Sequence, residues 1–264
     1  MQIVKSKSPD GRPLYKIEVD SPVAIPGDVH IPFHDPVALN TFIEATWEYD
    51  TLIILGDLFD NYALSTFPKS QAKLAKYSIR KEVDVAAKWI AKLNDTYSDV
   101  VYLPGNHEER WNRLVGKNAA LEGMEWWWPL RDIIPPNWKL LDVDSRIELR
   151  GSGGSNGIRV SLEHGDKASR NSSYVSADKL TGLYPGQVSI IGHNHRLAAH
   201  HRTHWIGGKP VEAHAYSVGH LADIGRLGYV SAPDWQKGGM VIDLNDVNPK
   251  FQLLSIRGEK VTWL

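Results

Sequence analysis

Five short β-rich runs each stop at a glycine or a histidine and deliver polar side chains immediately beyond it. VAI at 23–25 leads through Pro26 to Gly27-Asp28-Val29-His30, TLIIL at 51–55 to Gly56-Asp57-Leu58-Phe59-Asp60, and VVYL at 100–103 to Gly105-Asn106-His107-Glu108. IRVSLE at 158–163 ends in His164-Gly165-Asp166, and QVSII at 187–191 in Gly192-His193-Asn194-His195. Runs of this length, rich in Val, Ile and Leu and bounded by turn residues, predict buried strands. Between the first two, PVALNTFIEATWEY carries Val37, Phe42 and Trp47 near a helical period, with Pro36 in the first turn and Asp35 as N-cap. Between the second and third, Leu74, Ile79, Val83, Ala86, Ala87, Ile90 and Leu93 recur three and four apart, which predicts one amphipathic helix within 70–93. Alternating strands and helices argue for parallel pairing with helices laid on the sheet. After residue 145 the strands crowd together, including 211–218, 239–243 and 251–256, so the second half is β-richer and antiparallel or mixed.

In an open α/β sheet, ligands bind beyond the carboxyl ends of the strands, so the five loops are expected to converge. A glycine ahead of each ligand permits the tight turn that swings the next side chain over the sheet edge. The chain has no cysteine, so any metal must be held by His, Asp, Glu, Asn and water. That donor set suits Mn, Fe, Zn, Co or Ni, and a carboxylate can bridge two ions. Two such ions clamp a phosphate and activate water for in-line displacement. Lys+Arg 30 against Asp+Glu 31 leaves a net charge of -1, so no global basic excess announces nucleic acid, although a local basic groove is compatible with it. The opening residues MQIVKSKSPDGRPLYK lack an apolar run after a basic start, and nothing downstream approaches an 18-residue apolar stretch; neither a secretory signal nor a membrane span is expected.

At 264 residues a single domain over 1–264 is expected, with 108–145, broken by Gly123, Pro135 and Pro136, as a helical cap-like insertion that sets substrate choice. GSGGSNG at 151–157 is expected to be a hairpin tip between RIEL and IRVSL.

The series GDVH, GDLFD, GNHE, HGD and GHNH, spread over residues 23–196, resembles the motifs GDxH, GDxxD, GNH(E/D), H and GHxH of the calcineurin-like metallophosphoesterase superfamily. The resemblance implies an α/β fold of two mixed β-sheets packed as a sandwich and flanked by helices. Carried over motif by motif, it implies that Asp28, His30, Asp57 and His195 hold one divalent ion, with Asp57 bridging, and that Asn106, His164 and His193 complete the second. It also implies that His107 faces the substrate as general acid or transition-state stabiliser, its ring oriented by Asp60. The Ser/Thr protein phosphatases of the superfamily have GDxHG and GDxxDRG; Ile31 and Asn61-Tyr62 stand there instead, so that branch's arginine grip on phosphate is missing. Arg110, Arg113, Arg170, Asn171 and His34 are the candidates to meet substrate oxygens, and Asp166 either orients His164 or serves the turn after it. The stretch VGHLADIGRLGYVSAPDWQKG at 218–238 resembles a segment of bacterial and bacteriophage members, which implies a cytoplasmic setting in a bacterium or in the host of a phage.

The expectation is a dinuclear metal-dependent phosphoesterase, with manganese first among the metals, that hydrolyses a phosphate ester by in-line attack of hydroxide generated from water; monoester and diester remain open. A DNA or RNA nuclease or nucleotide phosphodiesterase is the nearest alternative, since Trp126, Trp127 and Trp128 would stack on bases unless they pack inside or at an interface. A non-catalytic metal-binding scaffold would ordinarily have lost a ligand, and none is lost; hydrolysis of a non-phosphorus ester or amide is weaker still. Asp and Asn after strands also serve as caps and turn residues, but five motifs in order outweigh that reading. His107 has the further alternative of hydrogen-bonding a ligand rather than substrate. His200, His201 and His204 lack the spacing of a third metal site and read as an exposed strand or loop near the mouth.

Overall fold

The computed structural model describes residues 1–66, 69–124, 128, 130–152, 158–165, 188–227, 233–246 and 248–264. The chain opens with a hairpin of Gln2–Lys7 (β1) and Pro13–Val19 (β2), then Val23–Pro26 (β3), helix Pro36–Thr46 (α1), Thr51–Ile54 (β4), helices Gln71–Lys76 (α2) and Ile79–Thr96 (α3), and Asp99–Tyr102 (β5). Helix Arg110–Val115 (α4) and two 3-10 turns lead to Lys139–Leu140 (β6), Arg146–Gly151 (β7), Val160–Glu163 (β8) and Val188–Ile191 (β9). Leu197–Ile206 (β10), Lys209–Val218 (β11), the short helix Ile224–Leu227 (α5), Gly238–Asp243 (β12), Lys250–Arg257 (β13) and Lys260–Trp263 (β14) complete it.

The described strands form two mixed seven-stranded sheets, ordered β1-β2-β7-β8-β9-β11-β10 and β14-β13-β12-β3-β4-β5-β6. Val23, Ile25, Ile53 and Val101 of the second sheet meet Ile147, Leu149, Val160, Leu162 and Ile190 of the first in the layer between them. Ala24, Leu52, Ile54 and Val100 point the other way, onto Leu39, Phe42 and Ile43 of α1 and Ala86, Ile90 and Leu93 of α3. Burial on both faces removes the polar half of the usual strand alternation, so β3, β4 and β5 read as continuous apolar runs. Each aliphatic side chain so buried contributes about 1.5–3 kcal/mol relative to exposure.

Asp35 caps α1 as expected, its carboxylate accepting from Val37 N at 3.0 Å and Ala38 N at 3.2 Å, with Pro36 in the first turn. The single helix expected within 70–93 is instead two. Ser78 is extended (ψ 155°), and Tyr77 leaves the helical path to pack its ring 4.8 Å from Phe33 and 5.5 Å from Tyr62. That aromatic contact fixes the bend, and α3 restarts with its apolar stripe on the sheet. The segment 108–145 ends by joining the sheet, since β6 pairs in parallel with β5; Trp138 is buried, and Trp128 packs its ring 5.4 Å from Phe59. Trp126 and Trp127 lie outside the described residues. β7 and β8 pair antiparallel, as a hairpin requires, while the tip at 153–157 lies outside the described residues. Among the described residues no helix is long and apolar enough to cross a membrane.

Candidate metal centre

The motif loops reach one place from both leaves of the sandwich. β3, β4 and β5 of the second sheet deliver Asp28 and His30, Asp57 and Asp60, and Asn106 and His107; the parallel pair β8 and β9 of the first delivers His164, His193 and His195. The convergence expected from the sequence thus takes place at the shared end of the two sheets.

Asp28, His30, Asp57 and His195 are all buried and bring ligand atoms within 4.8 Å of one another. His195 Nε2 lies 2.9 Å from His30 Nε2 and 3.2 Å from Asp28 Oδ2, and His30 Nε2 lies 3.7 Å from Asp57 Oδ2. Donors about 2.1 Å from one ion and about 90° apart sit about 3 Å from each other, so the spacing fits a cation. A second group comprises Asp57, His164 and His193. Asp57 Oδ1 is 3.3 Å from His164 Nε2, and the Asn106 amide oxygen lies 3.0 Å from His164 Nε2 and 2.9 Å from His193 Nδ1. The two carboxylate oxygens of Asp57 therefore face different groups.

The backbone is strained to achieve this. His30 (φ 56°), Asp57 (φ 48°), His193 (φ 63°) and His195 (φ 60°) all occupy the left-handed region, which costs a non-glycine residue about 1–2 kcal/mol. Interlocking hydrogen bonds hold it: His30 N and Val29 N both donate to Asp57 O, at 2.8 and 3.1 Å. Gly56 (φ 90°) makes the turn the sequence suggested. Gly105 serves a different need, for a Cβ there would lie 2.4 Å from Asp57 Oδ1.

Charge in the site is lopsided. Burial opposes ionisation of Asp57, yet the neighbouring His107 and His164 hold its carboxyl well below the usual range. Asp28 is pushed up to about 6, first by burial, with the charge of Asp57 acting in the same direction. His164 is driven up to about 10 against burial by the charge and hydrogen bond of Asp57, whereas burial takes His195 down to about 3. One buried carboxylate is ionised beside another that resists a second negative charge. A divalent cation relieves that conflict, and the oxygen and nitrogen donors present suit one.

His107 and Asp60 stand alongside. His107 Nδ1 lies 3.0 Å from the Asp60 carbonyl and 3.3 Å from its Oδ2, which also lies 3.2 Å from His30 Nδ1, so Asp60 orients both rings. These three form the remaining cluster of metal-type ligands. Arg110 Nη1 donates to Asp60 O at 2.6 Å, and its Nη2 reaches His107 Nε2 at 2.9 Å. Burial works against the positive charge of His107, but Asp57 and Asp60 outweigh it and raise its pKa.

Asn106 lines three clefts, of which the third, about 290 Å³, lies beside Ser65, Leu114 and Lys117. Of the other two, the wider, about 730 Å³, passes His107 and Arg110 toward Lys69, Lys73 and Arg226. The narrower, about 310 Å³, runs from His164 and His193 toward Arg12, Arg113 and Glu163. Arg110 and Arg113, expected on one helix face, line the third cleft together, and Arg110 also borders the wider cleft and Arg113 the narrower. His34, a candidate to meet substrate, lines none of these clefts: its ring is buried against Trp89 at 4.9 Å, and burial takes its pKa down to about 4. Asp166, Arg170 and Asn171 lie outside the described residues. His200, His201 and His204 fall on the edge strand β10, where His201 meets His214 across the hairpin at 2.6 Å and no third metal-type ligand completes a cluster among the described residues.

Sequence reasoning gave Glu108 no role. Its buried carboxylate accepts from Asp57 N at 3.0 Å, Phe59 N at 3.0 Å and Gly105 N at 2.7 Å, tying the second motif loop to the third. His220 was also passed over; it is fully buried, bridges to Asp28 through the backbone, and lies 5.5 Å ring to ring from His195. The signal for Glu108 was the acid closing GNHE; for His220 it was only the HLAD stretch.

A family model described as calcineurin-like phosphoesterase matches residues 21–205. No curated protein sequence matches the chain. Among solved structures, Vacuolar Protein Sorting 29 of Cryptosporidium parvum is similar at 14% identity and TM-score 0.47, covering 93% of this chain and 97% of its own. Vps29 of Entamoeba histolytica complexed with Zn²⁺ is similar at 13% identity and TM-score 0.43, with 92% and 97% covered. A conserved protein of Streptococcus pneumoniae described as a predicted phosphoesterase is similar at 9% identity and TM-score 0.40, with 93% and 98% covered.

Proposed function

Because the chain belongs to the calcineurin-like phosphoesterase family, we propose that it is a metal-dependent phosphoesterase with a two-ion centre. In this reading Asp28, His30, Asp57 and His195 hold one ion, and Asp57, Asn106, His164 and His193 the other. The observation that carries it is the split of Asp57, whose Oδ2 faces His30 at 3.7 Å while Oδ1 faces His164 at 3.3 Å. Bound divalent ions supply the Lewis acidity and the lowered pKa of water that phosphate-ester hydrolysis requires.

The chain's own residues do the rest. Asp60 accepts from His107 Nδ1 and leaves Nε2 beside Arg110, 2.9 Å away, and 3.9 Å from Asp57 Oδ2; once the guanidinium turns to a phosphoryl oxygen, Nε2 can hold a proton for the departing oxygen. Arg110, now directed at His107 Nε2, is the guanidinium placed to take a phosphoryl oxygen. Glu108 keeps the Asp57 and Asn106 loops in register through three backbone N–H groups.

The test is hydrolysis of bis(4-nitrophenyl) phosphate and 4-nitrophenyl phosphate by metal-stripped protein resupplied with Mn²⁺, Zn²⁺, Ni²⁺ or Mg²⁺, with bound metal counted in parallel. Metal-restored turnover supports the reading, and the ratio of the two rates chooses between diester and monoester. Two ions bound per chain with no turnover of either ester would identify a metal-binding protein instead.

A further inference from the structure

The wide cleft is larger than the scissile group needs. At about 730 Å³ it has the volume of a ligand pocket rather than of a bare phosphate. Its lining carries four cations, Lys69, Lys73, Arg110 and Arg226, and one carboxylate among the described residues, Asp60. Asp60 is already engaged by His30, His107 and Arg110, at 3.2, 3.3 and 3.3 Å. Among the described residues the lining thus carries more cations than acids. Burial, and then the charge of Arg110, lowers the pKa of Lys69, the direction expected where like charges crowd.

The cleft also has an aromatic floor, in which the Phe33 ring lies 5.2 Å from that of Tyr62 and 4.8 Å from that of Tyr77. These rings are covered by charge: Lys69 Nζ lies 5.4 Å from the Tyr62 ring centre, Lys76 Nζ 5.2 Å from that of Tyr77, and the Arg226 guanidinium 5.7 Å from that of Phe33. A ring face holding an ammonium or guanidinium positions that cation and is not free to stack a base. The recognised feature of the ligand is therefore its charge more than its base.

Resting on the phosphoesterase reading above, we infer that the substrate is a phosphate ester carrying at least one further phosphate, which the wide cleft holds at Lys69, Lys73 and Arg226 while the scissile phosphate lies at the metal centre. Single-stranded nucleic acid and nucleoside polyphosphates both offer this chemistry.

The experiment compares two nitrophenyl esters that differ by one phosphate, thymidine 5′-(4-nitrophenyl phosphate) and the same compound phosphorylated at the 3′ oxygen. Holoenzyme should turn over the second with a kcat/KM at least about tenfold higher at low salt, the scale of a charge-assisted contact, and added salt should erode the gain. In Lys73→Ala and Arg226→Ala the ratio between the two esters should fall several-fold toward unity, and an adenosine pair should give a ratio close to that of the thymidine pair. Equal kcat/KM for both esters, or ratios untouched by both substitutions, overturns the inference even where bis(4-nitrophenyl) phosphate is hydrolysed well. Calorimetry in EDTA adds a readout without turnover. Tighter binding of a thymidine tetranucleotide than of thymidine 5′-monophosphate points to a strand, tighter binding of thymidine 5′-triphosphate to a free nucleotide, and no gain from either overturns the inference. If no ester is cleaved with any metal, it is the phosphoesterase reading that fails, and the EDTA titration still decides this one.

Discussion

The narrow and wide clefts meet at Asn106 and dispose their charges in opposite ways. In the narrow cleft nearly every charge is answered: Arg12 reaches Glu163 at 2.6 Å and Asp144 at 3.3 Å, Arg113 pairs with Glu109, and Arg146, buried behind, holds Glu163 at 3.0 Å. In the wide cleft the cations outnumber the acids and lean on aromatic rings instead. A wall of closed ion pairs offers an arriving anion little, because each contact must first break another. A cleft of surplus cations focuses potential toward its floor. The motif loops thus fix the chemistry, while residues outside the motifs decide from which side a substrate is drawn.

The largest expected effect lies where the clefts meet. Asp57→Asn keeps the shape of the residue both groups share and removes its charge. Turnover of bis(4-nitrophenyl) phosphate should fall by about a thousandfold or more, several kcal/mol of transition-state stabilisation, and bound metal should drop in the same preparation. Retention of both would mean that the two groups work independently of the carboxylate between them.

Next comes the ionic wall. Arg146 is fully buried, with Nη2 3.2 Å from Asp10 and 3.0 Å from Glu163. Arg146→Ala strands buried carboxylate and should cost about 3–5 kcal/mol, read as a fall in denaturant midpoint, while the volume-matched Arg146→Met should cost less. Equal losses for the two would make charge, rather than packing, what Arg146 supplies to the narrow side.

These walls were the part of the molecule least legible in the sequence. The metal-type ligands were readable because each lies within a few residues of a strand end and a glycine, a wholly local relation; Asp57 beside Gly56 is the clearest case. Glu108 was not, since its meaning lies in three N–H groups drawn from two loops. Lys73 and Arg226 share a cleft across some 150 residues of chain, and no periodicity links them. The β1–β2 hairpin escaped because β1 is a mostly exposed edge strand without an apolar face, although its turn carries Arg12 to Glu163. Helices α2 and α3 read as one because the period runs through Tyr77, and only the contact with Phe33 shows the bend.

A smaller effect separates the wide cleft from its foundation. Glu82 is buried behind Tyr62, accepting from Asn61 N at 2.6 Å, and burial first, then the charge of Asp60, raises its pKa well above the ordinary carboxyl value. A carboxyl that stays protonated in the folded state contributes stability that is full below its unfolded pKa and is lost as pH rises toward the folded one. Glu82→Gln should therefore be close to neutral at acid pH and gain on the parent protein as pH rises above the unfolded value. Thermal melts of both across that range check it, and parallel curves would show that Glu82 does not titrate differently on folding.

The smallest expected effect is the sharpest test of the contrast between the clefts. Arg113 and Arg110 belong to the same short helix, three residues apart, and from the sequence either is an equal candidate for a phosphate contact. In the folded chain Arg110 is drawn in to Asp60 and His107, whereas the Arg113 side chain is 56% exposed and paired with Glu109 four residues before it. An exposed pair of that kind contributes about 0.3–0.5 kcal/mol, and its guanidinium is already engaged by the Glu109 carboxylate. Arg113→Ala should shift the denaturant midpoint by no more than that amount and change kcat/KM for either nitrophenyl ester by less than about twofold. A tenfold loss, confined to substrates bearing a second phosphate, would mean that the Arg113–Glu109 pair opens for substrate, and the narrow cleft would then have to be counted as part of the binding surface.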